Sequence, residues 1–373
     1  MSPTTQRSGD AASAGDLPAT REAARRIRRR RLACTTIGAV GALALGVGAC
    51  GGSGDNSASV SGGKKTDTVT IGVQTKILQT YYAQLADKLG FFKQEGLKVK
   101  IIVGQDPATT VQALIGGSLD LYLGGPEALP AIVKGADLRF IAGASNRSIW
   151  DIVTTKDVNK VGDLKGKLFG VSSLSSTSTA TSKQALQAQG VSPDAVKYIV
   201  AGGTGTRYTA LLNGRIQGAA LGIPVNYEAA DSGKLNDLGS TDGQLGAPPI
   251  AATMLTVSQK WAQGHKPVVQ RFLRAYQHVI DALYDPKMTA RIVSAASADI
   301  EVKPQYMRKA IETLFLDKST GGQVLPKDGH IDIKALQNIA DAFVSLKLLP
   351  SKIDASKYVD LSYLRAAQAS LKR

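Results

Sequence analysis

Two stretches of this chain are spelled alike at a fixed separation, and that repeat constrains its fold more than any other feature. Val103, Ala113, Leu114, Gly117, Leu119 and Gly125 recur 97 residues on as Val200, Ala210, Leu211, Gly214, Ile216 and Gly222. Both passages read Ala-Leu, a short turn with Gly, a buried strand and a Gly, and they close in Pro126 and Pro224. Unrelated βαβ units share some turn chemistry. A match running through a whole strand–helix–strand passage points instead to two similar α/β halves.

The surrounding pattern agrees. Strands are expected at Val69–Val73, Leu97–Val103, Leu119–Leu123, Leu138–Ala142, Leu168–Val171, Val196–Val200 and Ile216–Leu221. Between them fall helical spacings at Tyr81–Phe92, Thr109–Ile115, Thr179–Gln189 and Thr206–Leu212, with Pro126 opening another helix at its favoured first position. Strands alternating with helices predict mainly parallel sheets. Residues 250–373 are helix-rich, with Pro267–Tyr284, Pro304–Phe315 and Ile333–Leu346 carrying apolar residues at helical spacing. The expected organisation is one lobe from 68–145 with 250–373 and a second from 146–249. Ala144–Ser148 and Pro248-Pro249-Ile250 are the expected crossings.

The N-terminus is an export signal. Arg25 to Arg31 is strongly basic, Leu32 to Val47 carries no charge, and Val47-Gly48-Ala49-Cys50 resembles a bacterial lipobox. Residues 1–49 then form a lipoprotein signal peptide, and Cys50 becomes an acylated first residue on the outer face of the membrane. The apolar run is short and Gly/Ala-rich for a membrane span, and Gly51 to Asn56 supplies no stop-transfer charge. Residues 50–67 have the composition of a flexible leash, with an end-to-end distance of roughly 20–25 Å.

The export segment also changes how the charge is read. The chain holds 45 Lys+Arg and 30 Asp+Glu, a net +15. Without residues 1–49, which hold 8 Arg and 3 acidic residues, the net charge is +10. That excess is scattered rather than gathered into a basic stripe with aromatics, so no nucleic-acid partner is expected. Cys34 lies in the signal, which leaves Cys50 as the only mature cysteine. No disulfide, thiol nucleophile or thiolate metal site is expected.

Ligands of open α/β sheets bind beyond the carboxyl ends of strands. Ser172 to Thr181 is the most specific such place: eight hydroxyls in ten residues, running into a helix start. Free backbone N–H groups, the helix dipole and hydroxyl donors together make an anion cradle. Capping alone needs only one or two of those hydroxyls. Glu127, at a helix start, can take an amine or hydroxyl of a ligand or simply complement the helix. Trp150 is placed to wall a cleft or fill a core. The three histidines, His265, His278 and His330, all lie in the helical tail. No nucleotide, hydrolase or zinc-protease motif occurs. No metal or cofactor is expected.

Leu89-Gly90-Phe91-Phe92-Lys93-Gln94-Glu95-Gly96-Leu97, Ala113 to Asp120 and Asp163-Leu164-Lys165-Gly166-Lys167 resemble segments of the ABC-importer solute-binding proteins of the nitrate, sulfonate, taurine and thiamine-pyrimidine type. The resemblance, with the lipobox, covers most of residues 50–373. It implies a type II periplasmic-binding-protein fold, α/β, with two lobes joined by two crossings and a helical C-terminal part. It also implies a monomer that closes on a small organic anion and delivers it to a membrane permease. The family's ligand loops fall on Thr75, Gln105, Gly125, Glu127, Ser176, Thr177, Ser178 and Pro224. The pyrimidine-synthase relatives use a cysteine-rich iron motif and a catalytic histidine. The mature chain has no internal cysteine, so the resemblance implies a binder rather than an enzyme. An extracytoplasmic sensor or adaptor module is the alternative.

Overall fold

Alternating apolar residues set the first strand: Val69, Ile71 and Val73 are buried while Thr68 and Thr70 face outward. The computed structural model describes residues 66–74, 77–104, 106–317 and 324–371. The export segment, Cys50 and the leash up to residue 65 lie outside the described residues. No helix among the described residues is long and apolar enough to cross a membrane.

Among the described residues ten strands form two five-stranded sheets. The first sheet has the order β2-β1-β3-β10-β4, from Leu97–Val103, Asp67–Val73, Leu121–Gly124, Thr253–Ser258 and Leu138–Ser145. The second has the order β7-β6-β8-β5-β9, from Lys197–Val200, Leu168–Val171, Gly218–Gly222, Trp150–Thr155 and Leu235–Ser240. β1 runs parallel to β2, with Asp67 opposite Leu97 through Val73 opposite Val103, and parallel to β3. β6 repeats that arrangement between β7 and β8. The spelling repeat is therefore a structural one: Val103 and Val200 end equivalent strands, and Leu121 and Gly218, also 97 residues apart, begin the next equivalent pair.

The sheets are mixed, which corrects the expectation of mainly parallel ones. β10 is antiparallel to both β3 and β4, and β5 is antiparallel to both β8 and β9. Each reversed strand reaches its sheet from the other one. β5 follows β4 of the first sheet across residues 146–149, and β10 follows β9 of the second across residues 241–252.

Three helix expectations also need correction. The helix expected over Tyr81–Phe92 divides into Tyr82–Lys88 and Phe91–Gln94. Gly90 adopts φ 83°, a left-handed conformation that a glycine takes without penalty. Pro126 opens only a 3₁₀ turn, Pro126–Ala128, before the short helix Leu129–Val133. The helix from Pro304 ends at Ile311 and widens into a π-turn, Glu312–Leu316.

The C-terminal helices serve both sheets. Lys266–Leu283 packs on the Tyr82–Lys88 and Phe91–Gln94 helices and on β2, with Phe272 against Phe92 at 5.1 Å between ring centroids. Its Arg274 grips both carboxylate oxygens of Glu95. Ile333–Ser345 instead packs against Thr177–Ala188, a helix of the second sheet. Lys309 stands 4.6 Å over the ring of Tyr227. The tail expected with the first half thus also touches the second. Close packing shows at Gly143 in β4, where a Cβ would stand 2.6 Å from the carbonyl oxygen of His330.

Candidate functional site

Strand ends of the two sheets line a cavity of about 30 Å³. The first sheet supplies Gln74 after β1, Gly104 after β2 and Glu127 after β3. From the second come Ser172, Ser176 and Ser178 after β6 and Arg207 after β7, while Ile149 of the first crossing and the opening residues of β5 and β10, Trp150 and Thr253, complete it. Trp150 thus walls the cleft.

Glu127 bridges the cleft. Its Oε1 accepts hydrogen bonds from the Thr177 backbone N–H at 2.9 Å and the Thr177 hydroxyl at 2.7 Å. Its Oε2 accepts from Gln74 Nε2 at 3.3 Å, and that amide also donates to the Tyr122 hydroxyl. Burial pushes the Glu127 carboxyl pKa up, with the Thr177 and Gln74 hydrogen bonds opposing. Gly125 is what lets the two sides meet, because a Cβ there would collide with the Glu127 carboxylate and stand 2.7 Å from Thr177 Oγ1.

The hydroxyl-rich loop is only partly an open cradle. Ser176 is the N-cap of Thr177–Ala188 and accepts from the Thr179 N–H. Ser176 and Thr179 both donate to the Ser173 carbonyl, at 2.9 and 2.6 Å. Thr181 and Ser182 donate back to the carbonyls of Thr177 and Ser178. Glu127, from the other side of the cleft, already occupies the first amide of the helix. Ser172 and Ser178, 3.4 Å apart, are left lining the cavity with Ser176.

The strongest feature for anion binding is one the sequence reading did not single out. Arg207, in the helix Thr204–Leu212, is 2% exposed. It donates to the Gly202 carbonyl at 3.0 Å and the Thr204 hydroxyl at 3.2 Å, while its Nε has no partner. Among the described residues no carboxylate stands within ion-pair distance of it. Burial pulls its pKa down to about 10. Buried charges are ordinarily paired, and this one opens onto the cavity instead. The short loop before its helix follows the end of β7, the kind of place where ligands of open α/β sheets bind.

The remaining expected residues divide. Gly125, Glu127, Ser176, Thr177 and Ser178 come together at the cleft. Pro224 follows a cis Ile223–Pro224 bond and caps Val225–Asp231, but it is not among the cavity-lining residues. Thr75 and Gln105 lie outside the described residues. Behind Trp150, Asp151 is buried, accepts from Asn226 Nδ2 at 2.6 Å and lies within hydrogen-bond reach of Asp237. Burial and the charge of Asp237 raise its pKa to about 7. Among the described residues no group of His, Cys, Asp and Glu is placed to hold a metal ion.

Two α/β halves around a cleft, each contributing strand-end residues to it, define the class: a periplasmic-binding-protein fold. The family model described as NMT1/THI5 like matches residues 74–288, more than half of the chain and all of the described cavity lining. The chain belongs to that family. Solved structures share the fold. One is a Bordetella bronchiseptica protein with 24% identity and a TM-score of 0.68, covering 82% of this chain and 98% of that one. Another is the alkanesulfonate-binding protein SsuA of Xanthomonas axonopodis bound to MOPS, with 19% identity and a TM-score of 0.62, covering 79% and 99%. A third is the periplasmic nitrate-binding protein NrtA of Synechocystis, with 13% identity and a TM-score of 0.65, covering 83% and 90%. No curated protein matches the chain.

Proposed function

We propose that the protein is the extracytoplasmic solute-binding component of an ABC importer. It captures a small organic anion, a sulfonate, taurine or carboxylate-like solute, between lobes formed by 68–145 with 250–373 and by 146–249, and hands it to a membrane permease. The observation that carries this reading is Arg207, a buried guanidinium without a counter-ion that lines a cavity shared by both sheets. An anionic ligand supplies the missing charge and takes charge-assisted hydrogen bonds from the guanidinium and from Ser172 and Ser178. The sulfonate and nitrate named for two structures of this fold support the same class of ligand. Hinge closure at the two crossings is the motion expected of such a fold.

We read the protein as a binder rather than an enzyme. The ionisable groups at the cavity, Glu127 and Arg207, hold and orient, and none of the three histidines lines it. Acylated Cys50 and the leash hold the cleft near the permease from outside the cytoplasm, as a monomer.

Thermal denaturation of the full chain with a panel of sulfonates, carboxylates and nitrate tests the reading. Ligand at 100 times its dissociation constant stabilises the folded state by about 2.7 kcal/mol, a shift of several degrees. A melting temperature that no member of the panel moves would refute anion capture. For the anchor, Cys50→Ala is expected to abolish acylation and release the protein from membranes; a variant that stays bound without lipid overturns that part.

A further inference from the structure

The helix start that the sequence marks as an anion cradle already holds an anion, and that anion belongs to the protein. Glu127 follows β3 of the first sheet, and Thr177 opens the helix Thr177–Ala188 of the second. The Thr177 backbone N–H, at 2.9 Å, and its hydroxyl, at 2.7 Å, both donate to Glu127 Oε1. Amides at the positive end of a helix are where the oxyanion of a ligand is best stabilised, and bonds to a charged acceptor are the strong ones. Here the acceptor reaches across from the opposite half of the molecule. Among the described residues no Lys, Arg or His lies within ion-pair distance of Glu127, so Thr177 is its principal hold.

Space leads the same way. The cavity beside this contact, about 30 Å³, has room for about two water molecules, less than a sulfonate or carboxylate with any organic body. Glu127 is one of its walls, and Arg207, 2% exposed with its Nε unpartnered, is another. The anion that Arg207 lacks therefore has no room there while Glu127 stays on Thr177. Moving that one side chain would free both volume and donors. We infer that Glu127 is an internal stand-in for the ligand's anionic group: it occupies the Thr177 donors and ties the two halves together until an entering anion displaces it. This rests on the reading of the cleft as an anion receptor and adds an autoinhibitory contact to it. Glu127 then sets affinity by competition, since every anion captured must first break the Glu127–Thr177 bonds.

Calorimetric titration of the full chain with ethanesulfonate, propanoate and nitrate tests it. Glu127→Ala removes the competitor, and affinity for whichever of these anions binds is expected to rise about ten-fold or more, the effect of one hydrogen bond to a charged group. Glu127→Gln leaves a neutral, weaker acceptor on Thr177 and is expected to fall between. Affinity that is unchanged or lower in both variants overturns the stand-in and leaves the anion receptor standing. Binding of none of the three anions, by the unaltered protein or by either variant, overturns the anion reading and this inference with it. Infrared difference spectra of the unaltered protein decide the matter whether or not the variants fold. Adding the anion that binds (propanoate with a carbon-13 carboxyl, to move its own band away) is expected to shift a carboxylate stretch as Glu127 leaves Thr177. A difference spectrum with no protein carboxylate band overturns displacement.

Discussion

Replacing Arg207 with Met removes the charge but keeps an unbranched stem of similar length, and it separates a ligand-binding arginine from a structural one. Its pKa, at about 10, lies about 2.5 below the ordinary value; at about 1.4 kcal/mol per pH unit the buried charge costs about 3 kcal/mol. The sign follows from proton counting. The folded chain binds fewer protons than the unfolded one only above about pH 10, so stability rises with pH there and the full penalty stands at pH 7. Met also forfeits the hydrogen bonds to Gly202 and Thr204, worth about 1 kcal/mol each. The net expectation for the ligand-free protein is no loss of stability, or a gain of about 1 kcal/mol. Circular-dichroism melts should therefore place the variant at or a few degrees above the unaltered protein. Ligand binding should move the opposite way. Losing a charge-assisted contact to the anion costs about 3 kcal/mol, on the order of 100-fold in affinity, so the ligand-induced shift in melting temperature disappears. If Arg207→Met is destabilised by about 3 kcal/mol or more and still responds to ligand, the guanidinium is a brace for the Gly202–Thr204 turn. The functional reading of it would then be wrong.

Other expectations are as direct. Burial raises the Glu127 carboxyl, so it takes up its proton at higher pH than an ordinary glutamate and anion affinity at the cavity should rise as the solution is acidified. A calorimetric anion affinity that does not change on acidification contradicts a titrating carboxylate at the cleft. Asp151, with its pKa raised to about 7, binds more protons folded than unfolded between roughly pH 4 and 7. Its penalty therefore grows as pH rises through that window and is complete above about 7. Asp151→Asn should be more stable than the unaltered protein at pH 8 by about 1 kcal/mol or more, with the advantage gone by about pH 4. Identical pH slopes in urea titrations of the two proteins would count against it. Gly143→Ala places a methyl 2.6 Å from the His330 carbonyl oxygen, and the backbone shift should cost about 1–3 kcal/mol by denaturant midpoint.

The parallel strands were legible because each is a local apolar run followed by a turn and a helical spacing. β5, β9 and β10 were not, for reasons particular to each. β5 and β9 carry Asp151, Asn236 and Asp237, whose polar groups disguise them as loop until Asn226 and the opposing acid are in place. β10 is a clean apolar run, Thr253–Ser258, but its partners lie far back in the chain, so nothing near it announces a sheet. Gly90 was passed over because Leu85, Leu89 and Phe92 keep helical spacing straight through the break. In the site, the hydroxyl density before Thr181 was visible, but its hydrogen bonding was not. Glu127, 50 residues earlier, takes the Thr177 amide. Arg207 had only its place just beyond a strand end, since its meaning comes from burial without a partner, a property of the assembled protein.

The exchange of reversed strands also orders the birth of the protein. The first sheet keeps a gap between β3 and β4 until Ser258 has been made, because β10 is the strand that joins them. The second sheet needs nothing beyond Ser240, so the middle of the chain can close while its beginning cannot. Pairing Leu123 with Leu255 closes a loop of more than a hundred residues, a step that is slow relative to local contacts. A chain leaving the ribosome therefore carries an incomplete first sheet through most of its synthesis. That incompleteness leaves the three N-terminal strands without their closing partner until the chain has been made past Ser258.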